Sequence, residues 1–312
     1  MSEVLVLGAT GTTGSRVAAF LHERGVPVRP ASRTSAGSDR AASRTPTGSV
    51  RAGSRGSGVP VRAVSGAPGP YVRFDWAERR TYAPALRGIS AVYLVAPTGV
   101  TDPVPFVEPF LEEAVRQGVR RVVQLSSSAV PEGGPGLGAV HRLVRTMMPE
   151  WAVLRPSWFM QNFTGPSLEL RERDGEILSA TGDGRVAFID AGDIAAVAGH
   201  ALTDERSHDT AHVLTGPEAL SYDDVAALLA ERHGRPVRHR AVSVDELAAH
   251  FAARGLPAEY AAVLAALDDD LRGGSEERVT GTVERITGRP PRAFRETLAD
   301  EYPPAYTRLR VR

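Results

Sequence analysis

Residues 4–14 read Val4-Leu-Val-Leu-Gly-Ala-Thr-Gly-Thr-Thr-Gly14, an apolar run that passes directly into three glycines spaced three residues apart. Val17, Phe20 and Leu21 then recur at helical spacing until Gly25 ends the pattern. A buried strand, a glycine turn and a helix in this order are typical of the phosphate-binding turn of a dinucleotide-binding α/β fold.

The three glycines have separate physical roles. Gly8 permits a tight turn off the strand, Gly11 lets the backbone approach a diphosphate, and Gly14 allows the helix to pack closely on the sheet. The helix N-terminus adds N–H groups and a partial positive charge that attract phosphate. The sequence therefore predicts a cofactor site formed by Gly8, Thr10, Gly11, Thr12, Thr13 and Gly14.

The end of the second strand-like run indicates which cofactor binds. It reads Ala31-Ser-Arg-Thr34 and lacks the carboxylate with which an NAD site binds the ribose hydroxyls. The guanidinium of Arg33 suits the 2′-phosphate of NADP(H), which an acidic residue would repel. We therefore predict NADP(H), with the alternative that Arg33 merely begins an arginine-rich loop.

Strand-like and helix-like segments alternate through the first 160 residues. This alternation predicts a doubly wound parallel sheet, a Rossmann-type α/β fold, over residues 1–160. An insertion at 34–70 holds seven glycines, seven serines and four prolines, and we expect a mobile surface loop there. Residues 161–312 are expected to form a smaller substrate-side lobe with a C-terminal cap.

The amino-acid composition excludes several catalytic mechanisms and several classes of binding partner. The chain has 312 residues, zero formal net charge and no cysteine, and all 37 of its Lys and Arg residues are arginines. The absence of lysine excludes Schiff-base chemistry, a P-loop lysine and the Tyr-x-x-x-Lys catalytic pair. Neutral charge and the lack of a long apolar run argue against nucleic acid and membrane partners. We expect a cytoplasmic protein with a small-molecule substrate, and oligomerisation is left open.

Two residues are candidates for polar catalysis. Ser126-Ser-Ser128 follows the fifth strand-like run, and His141 and Arg145 stand thirteen and seventeen residues after Ser128, one helical turn apart. Without Tyr-Lys, ketone reduction is disfavoured because the alkoxide lacks its proton donor, whereas an iminium or a quinone methide-like acceptor needs chiefly a hydride. Ser128 and His141 could still assist, His141 as a proton donor; the alternative is a histidine that only packs or faces solvent.

Two further patterns are interpreted as structural. His208-x-x-x-His212 has the spacing of a helical metal site, but residues 210–214 are strand-like, which is expected to keep the two rings apart. Asp268-Asp-Asp270 is expected to be a solvated helix end. We therefore predict no metal.

With these motifs in view, the chain resembles the NmrA-like branch of the atypical short-chain dehydrogenase/reductases, and within it the ergot-alkaloid-type reductases. The resemblance covers nearly the whole chain outside 34–70. Its motifs are Gly8-Ala-Thr-Gly-Thr-Thr-Gly14, Phe74-Asp-Trp76, Ala91-Val-Tyr-Leu-Val-Ala-Pro97, Val122-Val-Gln-Leu-Ser-Ser-Ser128, Leu154-Arg-Pro-Ser-Trp-Phe-Met-Gln-Asn162, Leu214-Thr-Gly-Pro-Glu-Ala-Leu220 and Val283-Glu-Arg-Ile-Thr-Gly-Arg-Pro-Pro291.

The resemblance also implies positions around the cofactor. It places Asp75 and Trp76 near the adenine and Ala96 and Pro97 beside the middle of the cofactor. It places Pro156 to Phe159 near the nicotinamide. A substrate pocket is expected after the sixth strand-like run, where ligands bind in open α/β sheets, although its aromatic residues could equally be core. The pocket candidates are Trp158, Phe159, Asn162 and Phe163.

Proteins of this branch include NADPH-dependent reductases of imines, quinones and related molecules, and NADP(H) sensors that do not turn the cofactor over. We predict an NADPH-dependent reductase of a small aromatic or heterocyclic imine or iminium, enone or quinone. A redox sensor that regulates a protein partner is the alternative, and an isomerase or epimerase is the third.

Overall fold

The computed structural model of the protein describes residues 3–33 and 71–302. The predicted insertion at 34–70 lies outside the described residues. In chain order the strands are β1 (Glu3–Val6), β2 (Val28–Ser32), β3 (Val72–Arg73), β4 (Ile89–Leu94), β5 (Arg121–Leu125), β6 (Glu150–Pro156), β7 (Glu172–Arg173), β8 (Glu176–Ser179), β9 (Arg185–Val186), β10 (Thr210–Leu214), β11 (Leu220–Ser221) and β12 (Arg238–Ala241).

The α-helices follow the same order. They are α1 (Thr12–Glu23), α2 (Tyr82–Leu86), α3 (Val104–Arg116), α4 (Leu137–Met147), α5 (Gly165–Arg171), α6 (Ala191–Thr203), α7 (Tyr222–His233), α8 (Val244–Ala253), α9 (Ala258–Arg272), α10 (Thr282–Thr287) and α11 (Phe294–Glu301). None of the described helices combines the length and the apolar character needed to cross a bilayer.

Seven parallel strands form the central sheet in the order β10-β6-β5-β4-β1-β2-β3. The strand order reverses at β1, since β2 and β3 lie on one side of it and β4, β5 and β6 on the other. Open α/β sheets bind ligands in the crevice at the carboxyl ends of the strands at such a reversal. The predicted doubly wound, Rossmann-type fold is confirmed.

Helices cover both faces of this sheet. Val4 and Val6 of β1 point to the face covered by α1 and α6, whereas Leu5 and Leu7 point to the face covered by α2, α3 and α4. Because both faces are buried, the central strands are continuously apolar rather than alternating. This explains why Val4 to Leu7 already has the pattern of a buried parallel strand.

The second half of the chain returns to the central sheet. Strand β10 pairs in parallel with β6, and α6 packs against α1. These elements lie beyond the predicted boundary at residue 160, so both predicted segments, 1–160 and 161–312, contribute to the central sheet and the helices on it. A helix followed by a strand has the same local pattern in either domain, and only the pairing with β6 shows to which sheet β10 belongs.

The remaining elements form a smaller lobe. It contains the antiparallel pair β9–β11, the three-stranded sheet β12-β8-β7 and the helices α5, α7, α8, α9 and α11. Residues 292–297 contact the start of α6, because Arg292 N–H donates to Asp193 Oδ2 over 2.7 Å and the Thr297 hydroxyl donates to Asp190 Oδ2 over 2.9 Å. The C-terminal cap stays a prediction.

Asp268 is not the solvated residue that the sequence indicated. It is fully buried on α9 and forms a bidentate ion pair with Arg171 of α5, with N···O distances of 2.7 and 2.9 Å. The interpretation of 268–270 as a wholly solvated helix end is therefore wrong for Asp268. The cause is tertiary, since the partner lies 97 residues away.

The rings of His208 and His212 meet, although a strand begins between them. Asp209 has a φ of +42° and turns the chain, so that His208 Nδ1 lies 2.8 Å from His212 Nε2. The expectation that the strand would keep the rings apart is therefore wrong. Within 3–33 and 71–302, no three His, Asp or Glu side chains converge as ligands for a metal.

Candidate cofactor and substrate site

The glycine turn connects β1 to the first turn of α1. Gly8 has a φ of +63°, and its carbonyl accepts a hydrogen bond from Gly11 N–H over 2.8 Å. None of the described side chains caps the N-terminus of α1, so its first N–H groups point towards an anion position instead of a capping oxygen. The turn therefore fits the diphosphate of a dinucleotide.

The adenine-side residues lie together at the ends of β2 and β3. Phe74 N–H donates to the Ser32 carbonyl over 2.9 Å, which brings the segment after β3 beside the end of β2. Arg33 is exposed directly after Ser32, and Asp75 follows Phe74. Trp76 is half-buried and packs edge-on against Phe74, with the ring centroids 4.9 Å apart. The structure thus brings Arg33, Asp75 and Trp76 to one edge of the sheet.

The segment after β4 borders the glycine turn. A β-carbon at Gly8 would lie 3.6 Å from the Val95 side chain, so the two turns are in contact. Ala96 is buried and Pro97 half-buried immediately after Val95. The contacts of Ala96 and Pro97 with the middle of a bound cofactor stay a prediction.

Ser128 lies at the carboxyl edge of β5 beside Pro156 at the end of β6. Its backbone N–H donates to the Pro156 carbonyl over 3.0 Å. Its hydroxyl lies 2.6 Å from Glu276 Oε2 and 3.1 Å from the same Pro156 carbonyl. The guanidinium of Arg155 donates to the Ser128 carbonyl over 2.8 Å, and burial lowers the pKa of Arg155. This corner of the sheet is therefore polar and buried.

Glu276 is a site residue that the sequence analysis missed. It lies between α9 and α10, 148 residues from Ser128, and its carbonyl accepts from Ala187 N–H over 3.0 Å. In the sequence it is the first of two adjacent glutamates, Glu276 and Glu277, which is the ordinary pattern of a solvated loop. No local signal distinguishes the buried glutamate from its exposed neighbour.

His141 lies on α4 and has no hydrogen bond to Ser128. It is 2% exposed, and neither ring nitrogen has a hydrogen-bond partner among the described residues. Glu132 Oε2 lies 3.9 Å from its Nε2, and the Trp151 ring centroid lies 6.0 Å from its own. Burial lowers the pKa of His141, which favours the neutral ring. The role of His141 as proton donor is untested by these contacts, and the neutral, buried ring favours the alternative of a histidine that only packs.

The four predicted pocket residues have different surroundings. Trp158, Phe159 and Asn162 are half-buried after β6. Phe163 is fully buried in the core of the smaller lobe, and a set of rings lies within 5.2 to 5.7 Å of it: Phe188, Tyr222 and Phe294. Phe163 is therefore a core residue, as the alternative interpretation held, and the other three remain pocket candidates.

A doubly wound parallel sheet with an uncapped glycine turn at its strand reversal defines a nucleotide-cofactor-binding protein of the Rossmann class. Two family profiles match this chain: the NAD dependent epimerase/dehydratase family over residues 4–139 and the NmrA-like family over residues 139–270. An uncharacterized oxidoreductase, YesF, of Bacillus subtilis is 43% identical over 297 residues, which are 95% of this chain and 94% of that protein.

A second relative and a solved structure agree with this assignment. Festuclavine synthase II of Penicillium roqueforti is 35% identical over 309 residues, covering 96% of this chain and 98% of that protein. The NADPH-dependent quinone oxidoreductase QOR2 of Escherichia coli, solved with NADPH, shares the fold with a TM-score of 0.72 at 21% identity, over 95% of this chain and 99% of that one. The chain belongs to the NmrA-like family and is an NAD(P)-dependent oxidoreductase, which confirms the predicted family and enzyme class.

Proposed function

We propose that this protein is a reductase that uses NADPH to reduce a small aromatic or heterocyclic imine or iminium, enone or quinone. NADP(H) is the cofactor, in agreement with the exposed Arg33 at the end of β2 and the absence of an acidic residue at that position. Relatives named festuclavine synthase and agroclavine dehydrogenase support a small-molecule acceptor. A cytoplasmic location is part of the same proposal.

The observation that carries the proposal is the environment of Ser128. It lies at the carboxyl edge of β5, where an ordinary short-chain dehydrogenase keeps its catalytic serine, but neither tyrosine nor lysine accompanies it. The histidine in the tyrosine position is buried, and its ring nitrogens have no hydrogen-bond partner among the described residues. A site without a paired proton donor suits an acceptor that is already electron-poor, because such an acceptor needs chiefly a hydride.

In the proposed reductase, one set of residues binds the cofactor and another set binds and orients the acceptor. NADPH, when bound, supplies the hydride. The turn from Gly8 to Gly14 holds the diphosphate, and Arg33 pairs with the 2′-phosphate. The half-buried rings of Trp158 and Phe159 offer a flat apolar surface to the acceptor, and Ser128 offers a polar atom beside it.

The experiment is NADPH consumption by the purified protein with cyclic imines and iminium salts, quinones, enones and simple ketones. We expect turnover of at least one electron-poor class, with ketones inert. Ketones as the preferred acceptors would overturn the interpretation of the missing Tyr-Lys pair. Saturable NADPH binding without turnover of any class would favour the redox sensor, and interconversion of isomers without net NADPH loss would favour the isomerase.

A further inference from the structure

The segment 273–281, between α9 and α10, crosses the carboxyl ends of three central strands. Glu276 reaches Ser128 beyond the end of β5, and Ala187 N–H holds the Glu276 carbonyl. Further on, Thr280 N–H donates to the Thr215 hydroxyl over 2.9 Å, just beyond the end of β10. The segment is thus fixed at both ends over the edge where the acceptor is expected to bind.

Glu276 has a buried carboxyl group that interacts electrostatically with Arg155 but is not in direct contact with its guanidinium. Its residue is 3% exposed, and no Arg or His nitrogen in the described part of the chain forms an ion pair with it. Two cations lie in the neighbourhood. Arg155 donates to the carbonyls of Ser127 and Ser128 rather than to the carboxyl group, and Arg278 is exposed to solvent. Within 3–33 and 71–302, the hydrogen bond from Ser128 is the direct polar contact of the Glu276 side chain.

The hydroxyl of Ser128 has one hydrogen and two acceptors. The shorter contact is the one of 2.6 Å to Glu276 Oε2, and a carboxylate oxygen is a stronger acceptor than a backbone carbonyl. The competing acceptor is the Pro156 carbonyl at 3.1 Å. Both neighbours are acceptors, so the hydroxyl hydrogen is already used, and the lone pairs of the buried Ser128 oxygen remain for a further contact.

We propose that Glu276 is a specificity-determining residue: by holding the hydroxyl hydrogen of Ser128, it makes Ser128 an acceptor and gives the site a negative charge, so that the enzyme prefers cationic acceptors to neutral carbonyl acceptors. This rests on the proposed reductase function and selects one class within it. A serine that donates to a carbonyl oxygen assists ketone and quinone reduction. A serine whose hydrogen is held by a carboxylate instead stabilises an iminium cation or accepts from its N–H.

Iminium and quinone acceptors differ in whether their reduction consumes a proton, and this difference agrees with the proposed preference for cationic acceptors. Hydride addition to an iminium carbon breaks the C=N π bond, leaves its electron pair on nitrogen and gives a neutral amine without consuming a proton. Hydride addition to a quinone leaves an anion that must be protonated. A site in which the serine hydrogen is held by Glu276 favours the first reaction.

The test compares a permanently charged acceptor, N-methyl-3,4-dihydroisoquinolinium, with the neutral acceptor 1,4-naphthoquinone. In Glu276→Gln, the amide can donate to the Ser128 oxygen and release its hydrogen. We expect the ratio of kcat/KM values, cationic over neutral, to fall about tenfold or more, which is the scale of a hydrogen bond to a charged group. Glu277→Gln removes the same formal charge from the exposed neighbouring residue, and should leave the ratio unchanged.

A binding measurement tests the same inference without turnover. Calorimetric titration of protonated tetrahydroisoquinoline into the protein with NADP⁺ should give an affinity about tenfold weaker in Glu276→Gln than in Glu277→Gln. Equal affinities and an unchanged kcat/KM ratio would overturn the specificity role. If Glu276→Gln lowered kcat/KM equally for both acceptors and also lowered the Tm, Glu276 would instead be assigned to the anchoring of segment 273–281. The wild-type protein could bind protonated tetrahydroisoquinoline and yet oxidise NADPH with neither acceptor. That result would count against the reductase function rather than against the role of Glu276.

Discussion

The α-carbon of Gly14 packs directly against the carbonyl group of Gly8: a β-carbon at residue 14 would lie 2.2 Å from the Gly8 oxygen. No real β-carbon makes such a contact, so any other residue must push the first turn of α1 away from β1. The contact thus fixes the distance between the helix N-terminus and the strand, and with it the position where a diphosphate is held.

Gly14→Ala should therefore weaken NADPH binding about tenfold or more and destabilise the fold by about 1–3 kcal/mol, the range of overpacking. Gly281→Ala is the matched control, because its β-carbon would meet nothing within 4 Å. Fluorescence titration with NADPH and thermal unfolding measure both effects. Wild-type NADPH affinity in Gly14→Ala would show that this contact does not shape the cofactor site.

Arg33→Ala should lower the affinity for NADPH about tenfold or more while changing NADH affinity little, because only NADPH carries the 2′-phosphate. Arg87→Ala, at another exposed arginine, is the control for a general loss of positive charge. The dissociation constants of NADPH and NADH, measured for Arg33→Ala and Arg87→Ala, test this prediction. Equal losses for NADPH and NADH would assign Arg33 to the loop rather than to the phosphate.

His141→Phe should leave both NADPH affinity and turnover close to those of the wild type. The ring is 2% exposed and packs near Trp151, and phenylalanine keeps most of its volume. Steady-state kinetics with the best acceptor of the panel provides the measurement. A loss of turnover of about a hundredfold or more, with NADPH binding intact, would instead establish His141 as a general acid.

Asp268→Asn should cost about 3–5 kcal/mol of stability, because it leaves the buried guanidinium of Arg171 without its counter-charge. Asp269→Asn, one residue further on the exposed side of α9, should change stability by less than about 1 kcal/mol. Urea unfolding of the two variants gives the comparison. Similar losses in both would mean that the buried pair contributes little beyond a surface contact.

Stability should fall as the pH is lowered from about 6.5 to about 4. Burial, followed by the neighbouring His208 and Arg285, lowers the pKa of His212 to about 4. Between that value and the pKa of about 6.5 in the unfolded chain, the unfolded state binds a proton that the folded state does not, so acidification favours unfolding by up to about 3 kcal/mol. His212→Gln should flatten this part of the pH profile of unfolding free energy, whereas His22→Gln, at an exposed residue, should not. A profile unchanged in His212→Gln would assign the acid sensitivity to other groups.

The first half of the fold could be predicted because its signals are local. The apolar run before Gly8, the glycine spacing and the helical periodicity after them depend on steric and burial constraints within a few residues. The same holds for Arg33, whose place at the end of a strand follows from its position in the alternating pattern. Motif resemblance then indicated which of these local features surround a cofactor.

The tertiary structure decided everything that depends on contacts between distant segments. Strand β10 joins the central sheet because β6 has a free edge, Asp268 is buried because Arg171 comes to it from α5, and His208 meets His212 through a turn at Asp209. Glu276 and Glu277 have the same side chain and nearly the same sequence context. Only the path of the chain over the carboxyl edge places one of them against Ser128 and leaves the other in water, because burial is a property of the packed chain and not of its local sequence.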